Sequence, residues 1–229
     1  MKISFYNVDR FYAAHRESML AMADRVMASG KVLEGTEVAA LEAKLAAITG
    51  RKYAVTVGSC TDALSFSLLA LGVGKGDEVI VPAYSFVASA TPILRVGATP
   101  VFVDIADDCH MNMEAAAKAV TARTKAAIVV QLYGRIMNPE LIHKFSADTG
   151  VPVIEDAAQA IGASYNGIPG GKSGSVSCFS FDPSKIVGAF GTGGAVLTDD
   201  DSLAESVFAM RVHDKNKKTG EMSGIGYNS

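Results

Sequence analysis

Short apolar segments alternate with helical segments along most of this chain of 229 residues. Six of them are predicted to contain strands: 53–57, 76–82, 101–105, 126–131, 151–156 and 177–181. Strands that are apolar on both faces and alternate with helices are typical of a parallel sheet covered on two sides. The chain is long enough to bury a full core. We therefore expect an α/β fold with a mainly parallel central sheet and helices on both faces.

Helical periodicity fills the intervals between these segments. Amphipathic helices are predicted over 11–29 and 34–49, and further helices around 113–120 and 139–149. In the second helix an inward-facing stripe is expected from Val38, Leu41, Leu45 and Ile48. Another helix is expected after residues 58–62, and a helical segment is expected to open at residues 84–86.

Charge and hydropathy exclude several classes of function. With 21 basic and 24 acidic residues the net charge is -3, and no basic run is present, which disfavours nucleic acid and anionic membrane as partners. No apolar stretch approaches the ~20 residues that a membrane span needs. The N-terminus lacks the apolar core of a signal peptide, so we expect a cytoplasmic protein.

Cysteine and histidine residues are scattered and show no metal-ligand spacing. The three cysteines are expected to be reduced thiols, and no metal site is expected. The residues concerned are Cys60, Cys109, Cys178, His15, His110, His143 and His213.

One lysine stands in an unusual setting. Lys185 follows a short strand and a Pro-Ser turn, and it precedes a run of glycines that includes Gly193 and Gly194. Glycine-rich backbone folds tightly and leaves room for a flat ligand beside the amine. A desolvated lysine amine can bind a carbonyl cofactor covalently, whereas the structural alternative is an exposed turn lysine.

A second candidate site lies where the strand 53–57 runs through small residues into a helix. The helix N-terminus directs free N–H groups and a positive dipole end to one point, which suits a phosphate, and Ser59 and Thr61 add hydroxyl groups. The structural alternative is an ordinary helix N-cap. Asp62 fits that alternative, because a carboxylate disfavours a neighbouring phosphate unless it points away.

A third set follows the predicted strand that ends in Glu155 and Asp156. Ligands bind at the carboxyl ends of strands in open α/β sheets. Asp156 there can keep a heteroaromatic nitrogen protonated, with Gln159 as an amide partner, or it can simply cap a helix. Phe86 can stack on a ring or belong to the core.

Two stretches resemble nucleotide-binding motifs and fail their requirements. Residues 166–173 approach the phosphate loop of nucleotide hydrolases but do not follow directly on a buried strand. The glycines at 191, 193 and 194 fail the dinucleotide spacing because Val196 occupies the third glycine position. Neither ATP nor NAD is favoured.

Together these residues resemble the fold-type-I pyridoxal-phosphate enzymes, and more closely the sugar aminotransferases of the DegT/StrS group. The motifs that carry the resemblance are 59–61, Phe86, Asp156 with Gln159, Ser180 with Lys185, residues 193–194 and residues 226–228. The resemblance implies a sheet of about seven strands. It also implies that residues 1–229 form a large pyridoxal-phosphate-binding domain, with a helical N-terminal part over about 1–50.

The resemblance assigns a role to each candidate residue. Lys185 would hold the cofactor covalently, Asp156 would pair with the pyridine nitrogen, and Gln159 would contact the phenolic oxygen. Phe86 would stack on the ring. The phosphate would be surrounded by Ser59, Cys60, Thr61 and Ser180, and an asparagine in the position of Asn228 would reach the phosphate of a neighbouring subunit. A homodimer with shared sites is therefore expected.

The reaction implied is transfer of an amino group from an amino acid, commonly glutamate, to a keto-sugar carried on a nucleotide. Cys60 departs from the family pattern, which usually has glycine there. Family members continue beyond the position of Ser229 into a smaller C-terminal domain, which is expected to be absent from this chain. The alternatives are a cofactor-binding fragment without full turnover and a sugar dehydratase. Lys185 disfavours the dehydratase, because those enzymes typically carry histidine there.

Overall fold

The computed structural model describes residues 8–216, 219–222, 224 and 226–229. Its helices are α1 Val8–Ala28, α2 Thr36–Thr49, α3 Cys60–Ala70, α4 Thr91–Arg95, α5 Met113–Lys118, α6 Pro139–Thr149 and α7 Asp201–Arg211. Its strands are β1 Tyr53–Val57, β2 Glu78–Pro82, β3 Thr99–Val103, β4 Thr124–Val130, β5 Val153–Asp156, β6 Ser164–Tyr165, β7 Ile168–Pro169, β8 Val176–Ser180 and β9 Gly194–Thr198. Two single-turn 3-10 helices span Val87–Ser89 and Leu132–Gly134.

Seven of the strands form one sheet in the order β1-β9-β8-β5-β4-β2-β3. The strands from β8 to β3 pair in parallel, whereas β9 pairs antiparallel with both β8 and β1. The expected α/β fold and the seven-stranded, mainly parallel sheet are confirmed. Strand β9 and helix α7 were not predicted. Strands β6 and β7 form a separate small hairpin.

Helices cover both faces of the sheet. On one face α3, α4 and α7 pack on strand residues such as Ile128 and Ile154, through side chains that include Leu64 and Leu68. On the other face α5 and α6 pack on a second cluster. Helix α2 packs on a third cluster, which includes Phe179 of β8 and Ala195 and Leu197 of β9. Because side chains alternate along a strand, Ile128 faces one layer of helices and Val129 the other. Full burial of each such side chain contributes about 1.5–3 kcal/mol.

Some boundaries differ from the sequence predictions. The first helix begins at Val8, three residues before the predicted start, and the strand predicted over 101–105 spans Thr99–Val103. The helical segment expected from residue 84 begins only at Val87.

The inward-facing stripe predicted for α2 was wrong at its last position. Ile48 is 53% exposed, whereas Leu45 and Thr49 are buried at 2%. The side chains that face the sheet recur every four residues, from the half-buried Leu41 through Leu45 to Thr49. Ile48 lies three residues after Leu45 and therefore points away from the sheet.

Helix α1 has no buried residue along its 21 positions. The ring of Tyr12 in α1 contacts the ring of Phe190, with centroids 5.8 Å apart. Arg25 of α1 forms an ion pair with Glu37 of α2 at 2.8 Å. Because α1 buries no residue, the rest of the described chain stabilises it only weakly, and an isolated helix is only marginally stable in water. Within the described residues, no helix combines the length and apolarity that a membrane crossing requires.

Candidate functional site

A cavity of about 500 Å³ opens where strands β4, β5 and β8 end and helix α3 begins. Eight of the nine site residues predicted from sequence line it: Ser59, Cys60, Thr61, Phe86, Asp156, Gln159, Ser180 and Lys185. They come from four separate segments, which the parallel sheet brings to one edge. The ninth, Asn228, lies outside this cavity and lines another groove.

The start of α3 forms one wall of the cavity. The Oγ atom of Ser59 accepts a hydrogen bond from the N–H of Asp62 at 3.1 Å, which makes Ser59 the N-cap. No described residue accepts a hydrogen bond from the N–H groups of Ser59, Cys60 or Thr61. The helix therefore presents three free backbone donors and the positive end of its dipole to the cavity, an arrangement that suits an anion.

Gly194 explains how the chain can pass so close to these donors. A Cβ atom on Gly194 would lie 2.4 Å from the carbonyl carbon of Ser59 and 2.5 Å from the nitrogen of Cys60. Strand β9 thus begins in direct backbone contact with the first turn of α3. Only glycine fits this approach, because any side chain would collide with backbone.

Asp156 is the most deeply buried carboxylate of the cavity, with 5% of the residue exposed. Its Oδ2 atom accepts a hydrogen bond from Ser89 Oγ at 2.8 Å, and its Oδ1 atom accepts one from the N–H of Ala158 at 3.2 Å. Burial raises the pKa of Asp156, and the hydrogen bonds from Ser89 and Ala158 and the charge of Lys185 offset this only in part. Ser89 was not singled out from the sequence, which gives no sign that it would meet β5.

Lys185 stands on a tight loop that follows β8. The N–H of Lys185 donates to the carbonyl of Asp182 at 2.9 Å, and the N–H of Ala189 donates to the carbonyl of Phe181 at 2.8 Å. A Cβ on Gly188 would lie 2.8 Å from the carbonyl oxygen of Pro183, so the loop has no space for a larger residue there. Lys185 is partly buried and lines the cavity, unlike a fully exposed turn lysine.

Phe86 lines the cavity, and Tyr133 contacts another lining residue, Gln159. Phe86 is 70% exposed and therefore does not belong to the core. Gln159 accepts a hydrogen bond at Oε1 from the N–H of Tyr133 at 2.8 Å, and the hydroxyl of Tyr133 lies 2.8 Å from that of Tyr84. Tyr133 has a φ of 58°, a strained conformation for a bulky residue, and such strain is typical of functional sites. Tyr84 and Tyr133 were not predicted from the sequence to lie beside this site.

The stretch that resembles a nucleotide phosphate loop is bound to the protein's own carboxylate. Glu155 is fully buried and accepts hydrogen bonds from the N–H groups of Gly171 and Ser173 at 2.8 and 2.9 Å. Arg51 donates to the carbonyls of Gly171 and Gly174 at 2.8 and 2.5 Å. These N–H groups are therefore not available to a phosphate, which agrees with the exclusion of a phosphate loop from the sequence.

The last described residues pack behind the α3 turn. Asn228 pairs with Val212 in an isolated β-bridge and is exposed. The hydroxyl of Ser229 accepts from the N–H of Gly58 at 2.8 Å and donates to Oδ2 of Asp62 at 3.0 Å. The segment that contains Asn228 thus touches the outer side of the turn at residues 58–62, where α3 begins.

The sequence of this chain is similar to those of known aminotransferases and related proteins. A family model described as the DegT/DnrJ/EryC1/StrS aminotransferase family matches residues 13–229. The chain is 42% identical over its whole length to a pleiotropic regulatory protein of Geobacillus stearothermophilus and covers 62% of that protein. It is 39% identical over 99% of its length to the UDP-2-acetamido-2-deoxy-3-oxo-D-glucuronate aminotransferase of Pseudomonas aeruginosa, covering 63% of it.

Solved structures give the same result. The crystal structure of S. venezuelae DesV in complex with a ketimine intermediate superposes with a TM-score of 0.94 at 38% identity, over 99% of this chain and 61% of that one. An aminotransferase from Brucella abortus superposes with a TM-score of 0.91 at 34% identity, over 99% of this chain and 63% of that one. The chain spans little more than 60% of the length of these relatives. From its sequence and its fold, this chain belongs to the DegT/DnrJ/EryC1/StrS aminotransferase family.

Proposed function

We propose that this chain is the cofactor-binding part of a pyridoxal-phosphate-dependent aminotransferase that acts on nucleotide-linked keto-sugars. The observation that carries the proposal is the placement of Lys185 and Asp156 in one cavity, beside the free N-terminus of α3. An amine, a buried carboxylate and an anion-binding turn are the three groups that this cofactor needs.

The cavity fits the cofactor on chemical grounds. Asp156 is a buried carboxylate whose pKa is raised by burial, and its hydrogen-bond partners Ser89 and Ala158 are neutral. A protonated ring nitrogen would supply a close cationic partner and reduce the cost of burial. The N–H groups of residues 59–61 and the hydroxyl of Ser180 would hold the phosphate.

Each remaining residue then has a defined task. When bound, pyridoxal phosphate supplies an electron sink for the bonds at the α-carbon of an amino acid. Asp156 would keep the ring nitrogen protonated, and Lys185 would first hold the cofactor and then move a proton at the α-carbon of the amino acid. Phe86 would cover one face of the ring. Gln159, whose Oε1 atom accepts a hydrogen bond from the N–H of Tyr133, would contact the phenolic oxygen.

The proposed substrates are an amino acid donor, represented by glutamate, and a sugar nucleotide. Support comes from the relatives' names: a UDP-linked 3-oxo-glucuronate aminotransferase in P. aeruginosa and a dTDP-3-amino-3,4,6-trideoxy-α-D-glucose transaminase in Streptomyces venezuelae, to which the chain is 39% identical. The chain spans 63% of the first of these proteins and 58% of the second.

We also propose a homodimer with shared sites. Helix α1 buries no residue in its own protomer, and apolar side chains beside the lysine loop are exposed, including Ile186 at 70% and Phe190 at 56%. Apolar surface of this kind is typical of an interface. Asn228 lies outside its own cavity, as a residue that reaches a partner's phosphate would.

A labelling experiment tests the proposal. Protein mixed with pyridoxal phosphate should turn yellow, and borohydride should fix the cofactor to Lys185, as located by peptide mapping. Lys172 is the internal control, because its amine is bound by Asp199 and the carbonyl of Gly50. Addition of glutamate should then shift the visible spectrum. Label on Lys172 or on no residue contradicts the assignment, and labelling without a response to glutamate indicates a binding fragment.

A further inference from the structure

The anion-binding turn carries a carboxylate of its own. Asp62 lies in the first turn of α3, directly after the three residues whose N–H groups are free. An acidic side chain in this position favours the helix, because it interacts well with the dipole. It also disfavours any anion bound at the same helix end, since like charges repel.

The structure turns this carboxylate away and pairs both of its oxygens. Oδ1 of Asp62 accepts a hydrogen bond from the guanidinium of Arg95 at 3.1 Å, and Oδ2 accepts one from the hydroxyl of Ser229 at 3.0 Å. Arg95 is the last residue of the short helix α4, which packs beside α3. Ser229 also accepts from the N–H of Gly58, so it ties the carboxylate to the residue that precedes the turn.

We propose that Arg95 is a positioning residue for cofactor binding, which neutralises and holds Asp62 so that the α3 turn can bind the dianionic phosphate. This inference rests on the proposed function. Arg95 does not line the cavity, so it acts on the phosphate through Asp62 and not by direct contact.

The expected effect is moderate. The side chains of Asp62 and Arg95 are 24% and 47% exposed, so water screens the charge that removal of Arg95 would leave. We expect Arg95→Met to weaken pyridoxal phosphate binding roughly three- to tenfold, with a smaller effect at high salt.

A double-mutant cycle read with two ligands tests the proposal. The wild type, Arg95→Met, Asp62→Asn and the double variant are titrated by absorbance with pyridoxal phosphate and with pyridoxal, which lacks the phosphate. Both ligands can react with Lys185. The affinity for pyridoxal phosphate divided by the affinity for pyridoxal therefore isolates the contribution of the phosphate to binding. Arg95→Met should lower this ratio, and Asp62→Asn in the same protein should restore it.

A matched control is Lys144→Met, which removes one positive charge from an exposed ion pair on α6, on the opposite face of the sheet from α3. It should leave the ratio unchanged. The proposal is overturned if Arg95→Met weakens the binding of both ligands equally, or if the affinity ratio does not recover in the double variant. A wild type that binds neither ligand at Lys185 contradicts the proposed function itself, which separates the two failures.

Discussion

At the scale of a single residue, the burial of Asp156 affects both the stability of the protein and the chemistry proposed for it. Burial raises its pKa, so the folded protein holds a proton on this carboxylate to a higher pH than the unfolded chain does. The pKa of an aspartate in the unfolded chain is about 3.9. As pH rises past this value, the unfolded chain releases the proton first, so the free energy of unfolding falls. The buried carboxyl group of Asp156 therefore makes the cofactor-free protein less stable at neutral pH than at acidic pH.

We predict that Asp156→Asn raises the melting temperature of the cofactor-free protein at pH 7–8. Asparagine keeps an acceptor for the N–H of Ala158 and can donate to the hydroxyl of Ser89, while it removes the buried charge. The gain should be roughly 2–4 °C for each kcal/mol of burial cost relieved. The gain should shrink as pH falls below about 4, where aspartic acid becomes neutral in the unfolded chain as well. Calorimetry across this pH range measures the difference.

The same variant should lose the reaction with glutamate, because a neutral amide cannot hold the ring nitrogen protonated. Stopped-flow absorbance of the cofactor-loaded protein is the measurement. A rate within tenfold of wild type, or about 1.4 kcal/mol in the barrier, would show that Asp156 acts only as a structural cap. A lower melting temperature for Asp156→Asn at neutral pH would show that the hydrogen bonds of the carboxylate outweigh its burial.

The residues that sequence could predict are those with local signals. Lys185 stands between a strand and a glycine run, and Asp156 ends an apolar strand, so each is visible in a short window. Ser89, Tyr133 and Arg95 were missed because their contacts join segments that are 67, 26 and 33 residues apart. Such contacts follow from the packing of the sheet and leave no mark in the local pattern.

At the scale of elements, β9 is the strand of the seven-stranded sheet that was not predicted from the sequence. Its five residues begin with Gly194 and follow a run of glycines that indicates a loop. The strand is nonetheless fully buried, because it pairs antiparallel with β8 and β1 and closes the sheet beside the cavity. Pairing with two neighbours overrides the weak local preference.

We predict that Gly194→Ala is destabilising by about 1–3 kcal/mol, the range for overpacked positions. The added carbon would meet the backbone of Ser59 and Cys60, which cannot move aside as a flexible side chain can. Displacement of this backbone should also weaken binding of pyridoxal phosphate. Chemical denaturation and an absorbance titration measure the two effects.

Gly74→Ala is the matched control for this prediction, because nothing lies within 4 Å of its added carbon. It should change stability by less than about 1 kcal/mol, in either direction, and leave cofactor affinity unchanged. Equal stability and affinity in the two alanine variants would show that β9 and the α3 turn are not held in contact in solution.

At the scale of the whole molecule, the layers could be predicted from the alternation of apolar strands and helices. The sheet edge that collects the site residues follows from parallel pairing. The position of α1 could not be predicted in this way, because an amphipathic pattern shows that a helix has an apolar side but not what covers it. In the structure that side stays exposed, with Leu20 at 45% and Met27 at 65%.

If a second copy covers α1, a charge placed on this helix should weaken self-association. We predict that Leu20→Glu shifts the protein toward monomer in sedimentation, because the carboxylate would lose its hydration in the interface. Leu141→Glu on α6 is the matched control, since Leu141 is 46% exposed and receives the same substitution. It should leave the association unchanged.

Asn228 gives an independent measure of the same assembly. If it reaches the phosphate of the partner's cofactor, Asn228→Ala should lower the affinity for pyridoxal phosphate while the protein remains a dimer, because one hydrogen bond is lost at an otherwise intact interface. Leu20→Glu should lower the same affinity only as far as it dissociates the dimer, and the loss should diminish at high protein concentration. A monomer that binds the cofactor tightly and is unaffected by Asn228→Ala would show that each protomer completes its own site.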